Sequence, residues 1–90
     1  MNMPALISEL VSTLFQDVLE SMQLRLTGPL DAHAVLLQTG MDSLGFAVLV
    51  ARLEEELGYD PFVLMDEPVY PRTYGEFVAI YERFESHRRQ

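Results

Sequence analysis

Cysteine is absent from the 90 residues, and so is lysine. Without cysteine there is no disulfide framework, no thiolate metal site and no thiol supplied by the chain itself. Without lysine, all six basic residues are arginines, and 14 acids outweigh them to a net charge of −8. Phosphate backbones need a basic face, so nucleic acid is not an expected partner. Basic protein surfaces fit better, because complementary charge steers encounter. No apolar run approaches the roughly 20 residues that a membrane-spanning helix requires. The first residues, MNMPALISEL, carry Glu9 and no basic flank, unlike a secretory signal, so a cytoplasmic location is expected. Repeats, low-complexity tracts and strand-like alternation are also missing.

What remains is a chain with 49% hydrophobic residues, enough for a core and too many for a disordered segment. Residues 1–90 are read as a single small domain, near the lower size that folds without staples. Residues 4–24 are predicted to form a helix. Pro4 suits its first turn, and Ile7, Leu10, Val11, Leu14, Val18 and Met22 recur at spacings of three and four. Phe15 and Leu19 flank this stripe, while Glu9, Asp17 and Glu20 lie mostly opposite. Gly28-Pro29 stops the helix. Residues 27–42 show no period and form a long connection, whose Leu30, Val35, Leu36 and Leu37 are expected to pack over the helices.

A second helix is predicted over 43–57, ended by Gly58. Phe46, Leu49, Val50, Leu53 and Leu57 make its core stripe. Leu44, Val48 and Ala51 make a second apolar stripe, where a helix buried on one side should be polar. The segment 59–72 holds three prolines and has room for one short helical turn, expected near Asp66. Then 73-TYGE-76 reads as a capping box in which Thr73 and Glu76 satisfy each other's backbone donors. Tyr74, Phe77, Val78, Tyr81 and Phe84 trace the core face of a last helix, which is expected to fray through 86–90, with arginines suited to its C-terminus. The buried tyrosines need polar partners or exposed hydroxyls. The fold class is therefore all-α: a small four-helix bundle with three main helices, a short third one and a long first loop.

The candidate site is 40-GMDSLGF-46. Asp42-Ser43 sits where free N–H groups and the positive end of the helix dipole meet, so an anion carried by Ser43 is stabilised without a basic side chain. Asp and Ser are also favoured helix caps, and a plain cap explains the pair equally well from local sequence.

The segment GMDSLGFAVLVARLEEELG resembles the pantetheine-attachment segment of acyl carrier proteins, with Gly40, Asp42, Ser43 and Leu44 followed by an apolar helix and the acids Glu54-Glu55-Glu56. The Asp-Pro-Phe at 60–62 and the Thr73 cap agree with stand-alone carriers. The resemblance implies a carrier, not an enzyme. A phosphopantetheinyl transferase would move 4′-phosphopantetheine from coenzyme A onto Ser43, and the arm would supply the thiol that the chain lacks. Acyl-transferring, ligating or condensing enzymes would be its further partners, and a monomer is expected. In fatty-acid carriers the positions matching Gly45 and Val48 are usually acidic; here both are uncharged. That departure implies apolar docking through Leu44, Val48 and Ala51, with Asp42, Arg52 and Glu55 at the edge, and a specialised polyketide, lipid or related pathway. Leu49, Phe62 and Val69 are the candidate cargo groove, and the small Ala51 would widen it.

The rivals are an aminoacyl or peptidyl carrier on the same fold, and an unmodified helical adaptor that uses the Leu44/Val48 stripe. The three glutamates read first as a solvated face and second as a partner-recognition patch, and they lack the spacing of a calcium loop. A hydrolytic Ser43–His33 pair is discounted, since no nucleophile elbow or oxyanion donors accompany it.

Overall fold

The computed structural model describes residues 5–89. Its helices are α1 (Ile7–Ser21), α2 (Ser43–Leu57), α3 (Pro61–Leu64) and α4 (Tyr74–Arg83), with single 3-10 turns at Leu36–Gln38 and Glu85–His87. The four-helix, strand-free architecture expected from the sequence is the one observed among the described residues. The predicted start of α1 at Pro4 lies outside those residues.

The hydrophobic stripe of α1 is broader than periodicity gave it. Phe15 and Leu19 are not flanking residues: they are as buried as Val11, Leu14 and Val18. Phe15 anchors three helices at once, meeting Phe46 of α2 and Tyr74 of α4 edge-on at ring distances of 5.9 and 5.6 Å. The exposed acids Glu9, Asp17 and Glu20 face away, as expected. The helix ends at Ser21, well before Gly28-Pro29. Gln23 adopts φ +59°, Leu24 N–H reaches the Leu19 carbonyl at 2.8 Å and Gln23 N–H reaches that of Glu20 at 3.1 Å. This crossed pair of bonds closes a Schellman turn, built here on a glutamine rather than the usual glycine.

The connection from 22 to 42 is pinned at both ends. Buried Thr39 donates its hydroxyl to the Leu36 carbonyl at 2.7 Å, and its own carbonyl accepts the Thr27 N–H at 3.0 Å. Further along, Leu36 N–H bonds the Arg72 carbonyl, Tyr74 N–H the Ala34 carbonyl and Gly75 N–H the Ala32 carbonyl. The loop is thus stapled to the start of α4. Leu36 is buried and Leu30 half-buried, but Val35 and Leu37 remain exposed.

Two expectations about the second half need correction. The short turn is not near Asp66 but at Pro61–Leu64, where the Asp60 carboxylate accepts the Phe62 N–H at 2.9 Å and Pro61 occupies the first turn. Asp-Pro is a cap-then-N1 signature, so the signal was present in the sequence. The capping box is also only half formed. Thr73 Oγ1 accepts the Glu76 N–H at 3.2 Å, but Glu76 Oε2 accepts from Arg72 N–H at 3.3 Å, one residue earlier than Thr73.

The end of the chain does not fray within the described residues. After α4 it makes a 3-10 turn and returns to α2, where Arg89 N–H donates to the Leu57 carbonyl at 2.8 Å and Arg89 Nη2 to that of Glu55 at 2.7 Å. Arg88 Nη1 donates to the Ala5 carbonyl at 2.7 Å. The two arginines therefore serve the C-terminus of α2 and the approach to α1, rather than the end of α4. Positive charge at orphan helix carbonyls is favourable wherever it comes from.

Candidate functional site around Ser43

The approach to α2 is fixed by backbone packing. Gly40 has φ +108°, a conformation that side-chain-bearing residues rarely adopt. The Arg25 carbonyl oxygen also lies against it, well inside the contact distance of any added Cβ. Next, Met41 is buried and turns its thioether over Gly45, so that a Cβ at Gly45 would sit 3.2 Å from Met41 Cγ and closer still to its sulfur. Gly45 is therefore a buried packing residue under Met41. It is small because the methionine covers it, and a charged side chain there would displace that methionine.

Asp42 and Ser43 divide the work that the sequence left open between them. The cap is Asp42: its Oδ1 accepts the Gly45 N–H at 2.7 Å, and its carbonyl accepts the Phe46 N–H at 3.0 Å. Ser43 is exposed and begins the helix, and among the described residues its hydroxyl makes no hydrogen bond. A primary alcohol at a helix N-terminus, not needed for capping, is free to be esterified. His33 lies on the connecting loop, where its N–H bonds the Asp31 carboxylate at 2.9 Å, and no hydrogen bond links it to Ser43.

The second apolar stripe of α2 is only partly on the surface. Leu44 is 64% exposed and Ala51 is also exposed, whereas Val48 is half-covered by the core. Arg52 reaches across to Asp17 of α1, with 3.8 Å between Nη2 and Oδ2. Both partners are solvent-accessible, so the pair contributes little to stability. Glu54, Glu55 and Glu56 are all exposed.

One helical turn beyond Ser43 begins an open groove of about 650 Å³. Its floor is Phe46 and Val50 of α2, Phe62 of α3 and Phe77 of α4. The Val35–Gln38 turn and Tyr70–Arg72, joined by the Leu36 N–H to Arg72 carbonyl bond, complete the lining. A smaller cavity of about 360 Å³ continues past Phe62 and Tyr70 to Val69 and Met65. Of the residues expected to form a groove, Phe62 lies in both cavities and Val69 in the smaller one. Leu49 is fully buried and lines neither, and neither does the exposed Ala51. The residues missed were Phe46 and Val50, assigned to the core stripe, and Tyr70 and Arg72 of the proline-rich segment. Periodicity could show that Phe46 and Val50 face inward, but not that the bundle leaves space above them.

The buried tyrosines differ in how they are satisfied. Tyr59 donates its hydroxyl to the Tyr81 carbonyl at 2.6 Å. The hydroxyls of Tyr74 and Tyr81 are buried with no hydrogen-bond partner among the described residues. For Tyr74, the Ser12 hydroxyl is near enough to favour the phenolate somewhat, but it is not in bonding geometry. Burial is the main reason that all three phenols are held above the ordinary tyrosine range, Tyr81 furthest of all, with Asp60 and Tyr59 adding to it there.

Among the described residues no helix is long and apolar enough to cross a membrane, and no cluster of three or more potential ligands could hold a metal ion. In a comparison with protein families, the model of the phosphopantetheine attachment site matches residues 9–63. No curated protein and no solved structure matches the chain.

Proposed function

Since the chain belongs to the phosphopantetheine attachment site family, we propose that Ser43 is its attachment residue and that residues 1–90 form one acyl carrier domain. Domains of this family are the place of covalent 4′-phosphopantetheine attachment, and they carry rather than catalyse. When bound, the arm supplies a thiol that holds an acyl group as a thioester and presents it to successive enzymes.

The observation that carries the assignment is the division of labour at the start of α2. Asp42 takes the capping N–H, which leaves the Ser43 hydroxyl exposed and unbonded. The residues fit the group. The Ser43 and Leu44 N–H groups, which Asp42 does not take, would lie at the helix start beside a phosphodiester on Ser43, and the dipole would favour its charge. Asp42 adds a negative charge beside it, which a covalent bond tolerates and a free phosphate site would not.

Docking is assigned to the exposed Leu44 and Ala51, with part of Val48 and with Arg52 and Glu55 at the margin. The burial of Gly45 leaves this end of α2 without an acid that other carriers would show. An apolar docking face supports a dedicated pathway, polyketide or specialised lipid, over housekeeping fatty-acid synthesis. An acyl cargo is preferred to an aminoacyl one because the groove beside Ser43 is lined almost wholly by apolar side chains.

The experiment is intact mass after incubation with coenzyme A and a promiscuous phosphopantetheinyl transferase. The chain should gain one phosphopantetheine, and Ser43→Ala should gain none. A folded wild-type protein that stays unmodified with several transferases would reject the carrier and leave the adaptor reading.

A further inference from the structure

From the groove's lining we infer that the cargo is an aryl acyl group bearing a carboxylate, its ring held among Phe46, Phe62, Phe77 and Tyr70 and its acid directed to Arg72. The inference rests on the carrier reading of Ser43, which places a tethered acyl group beside this groove.

Shape and chemistry agree on the ring. The groove, about 650 Å³, lies within the size range of small-molecule sites and opens widely to solvent. Phe77 already packs with Phe46 and Phe62, with ring centroids 6.1 and 6.2 Å apart. Tyr70 lines the same groove, 83% exposed, with its ring uncommitted to any aromatic pair among the described residues. A flat ring entering here extends an existing aromatic array at the 4.5–7 Å spacing such pairs prefer. A flexible alkyl chain in this groove meets an open face. It must order each torsion against an open wall, and that entropy is not returned.

Charge selects the far end of the cargo. The protein carries a net charge of −8, yet the groove contains no acid and one base, Arg72, accompanied by Gln38. Among the described residues the only ion pair is Arg52 with Asp17, so the Arg72 guanidinium is unpaired. The nearest recorded acid contact, Glu76, accepts from the Arg72 backbone N–H rather than from its side chain. A guanidinium fork on an otherwise apolar rim matches a carboxylate.

The test uses three S-pantetheine thioesters: octanoyl, 3-phenylpropanoyl and 3-(4-carboxyphenyl)propanoyl. Each is titrated into the full chain and followed by amide NMR shifts at Leu37, Phe46, Val50 and Phe77. The phenyl compound should bind about three- to tenfold more tightly than octanoyl. The carboxylate should add about two- to fivefold, and Arg72→Gln should abolish that increment while leaving the phenyl compound unaffected. The same acyl groups are then loaded from their coenzyme A thioesters, and the same amides should shift in the same order. Octanoyl binding as well as the aryl compounds, or an Arg72→Gln variant that keeps the carboxylate preference, would overturn the inference. If Ser43 accepts no arm, the carrier reading fails separately, and the free-thioester titrations still decide the groove.

Discussion

The carbonyl of Arg25 occupies the space where Gly40 would carry a side chain: an added Cβ would lie 3.0 Å from the carbonyl carbon and nearer to its oxygen. Backbone cannot swing aside as a side-chain tip does. Gly40 also holds φ +108°, so strain and clash add. Gly40→Ala is therefore expected to lose about 3 kcal/mol or more of stability in urea unfolding. Gly28→Ala is the control. Among the described residues nothing lies within 4 Å of its added Cβ, and the change should stay within about 0.5 kcal/mol. Equal effects from both would show that the crossing of residues 25 and 40 is not what fixes the approach to Ser43.

Capping and modification should separate at neighbouring residues. Asp42→Ala removes the acceptor of the Gly45 N–H and should cost about 1 kcal/mol, with Asp42→Asn restoring most of it. Ser43→Ala deletes an exposed, unbonded hydroxyl and should leave stability within about 0.5 kcal/mol of the wild type while blocking any gain in mass. A large loss of stability in Ser43→Ala would make Ser43 a structural residue after all.

The tyrosines give a pH dependence that the composition isolates. With neither cysteine nor lysine present, tyrosine is the side chain that titrates between about pH 9 and 11. Tyr59, Tyr74 and Tyr81 are held above the ordinary value in the folded state, chiefly by burial. The unfolded chain then releases protons first, so stability is intact below about pH 10 and falls as pH rises further. The slope for Tyr81 alone approaches about 1.4 kcal/mol per pH unit. Tyr81→Phe removes an unpartnered buried hydroxyl, so it should be neutral or stabilising by up to about 1 kcal/mol at pH 7 and should flatten the alkaline loss. Tyr59→Phe leaves the Tyr81 carbonyl with only the longer bond from the Phe84 N–H, at 3.3 Å, and should cost about 1 kcal/mol. Urea titrations at pH 8, 10 and 11 measure all three, and an alkaline loss unchanged in Tyr81→Phe would contradict the assignment.

Arg89 closes the far end of α2. Arg89→Ala removes the guanidinium bond to the Glu55 carbonyl and is expected to cost about 1 kcal/mol. Amide exchange should quicken in the last turn of α2, including the Gly58 N–H that bonds the Glu54 carbonyl. Unchanged exchange there would mean that the tail only rests on the helix.

The docking face predicts a split between folding and recognition. Leu44 is 64% exposed, so Leu44→Glu should change stability by less than about 0.5 kcal/mol. If partners bury this side chain, kcat/KM for modification by the transferase should drop about tenfold, an energy near 1.4 kcal/mol. Modification at the wild-type rate would remove Leu44 from the recognition surface.

Local sequence and tertiary packing contributed differently to this protein. The span of α2, its Asp42 cap and the position of Ser43 at its first turn were legible in order, because caps, stops and helical period act within a few residues. The Asp60-Pro61 start of α3 was equally local and was simply outweighed by the prolines that follow. What no local rule could supply was where chain crossings and free space would fall. Gly45 read as a missing charge, and it is small because Met41 lies on it. Arg88 and Arg89 read as a fraying end, and they bond carbonyls 83 and 34 residues away. Phe46 and Val50 read as core, and they line a groove together with the Val35–Gln38 turn and the Tyr70–Arg72 segment, which the Leu36 N–H to Arg72 carbonyl bond joins. The sequence by itself determined the helices and the hydroxyl that begins the second. Only the packing of distant segments decided what lies beside that hydroxyl, because contacts and cavities depend on distances that hydrophobic period does not encode.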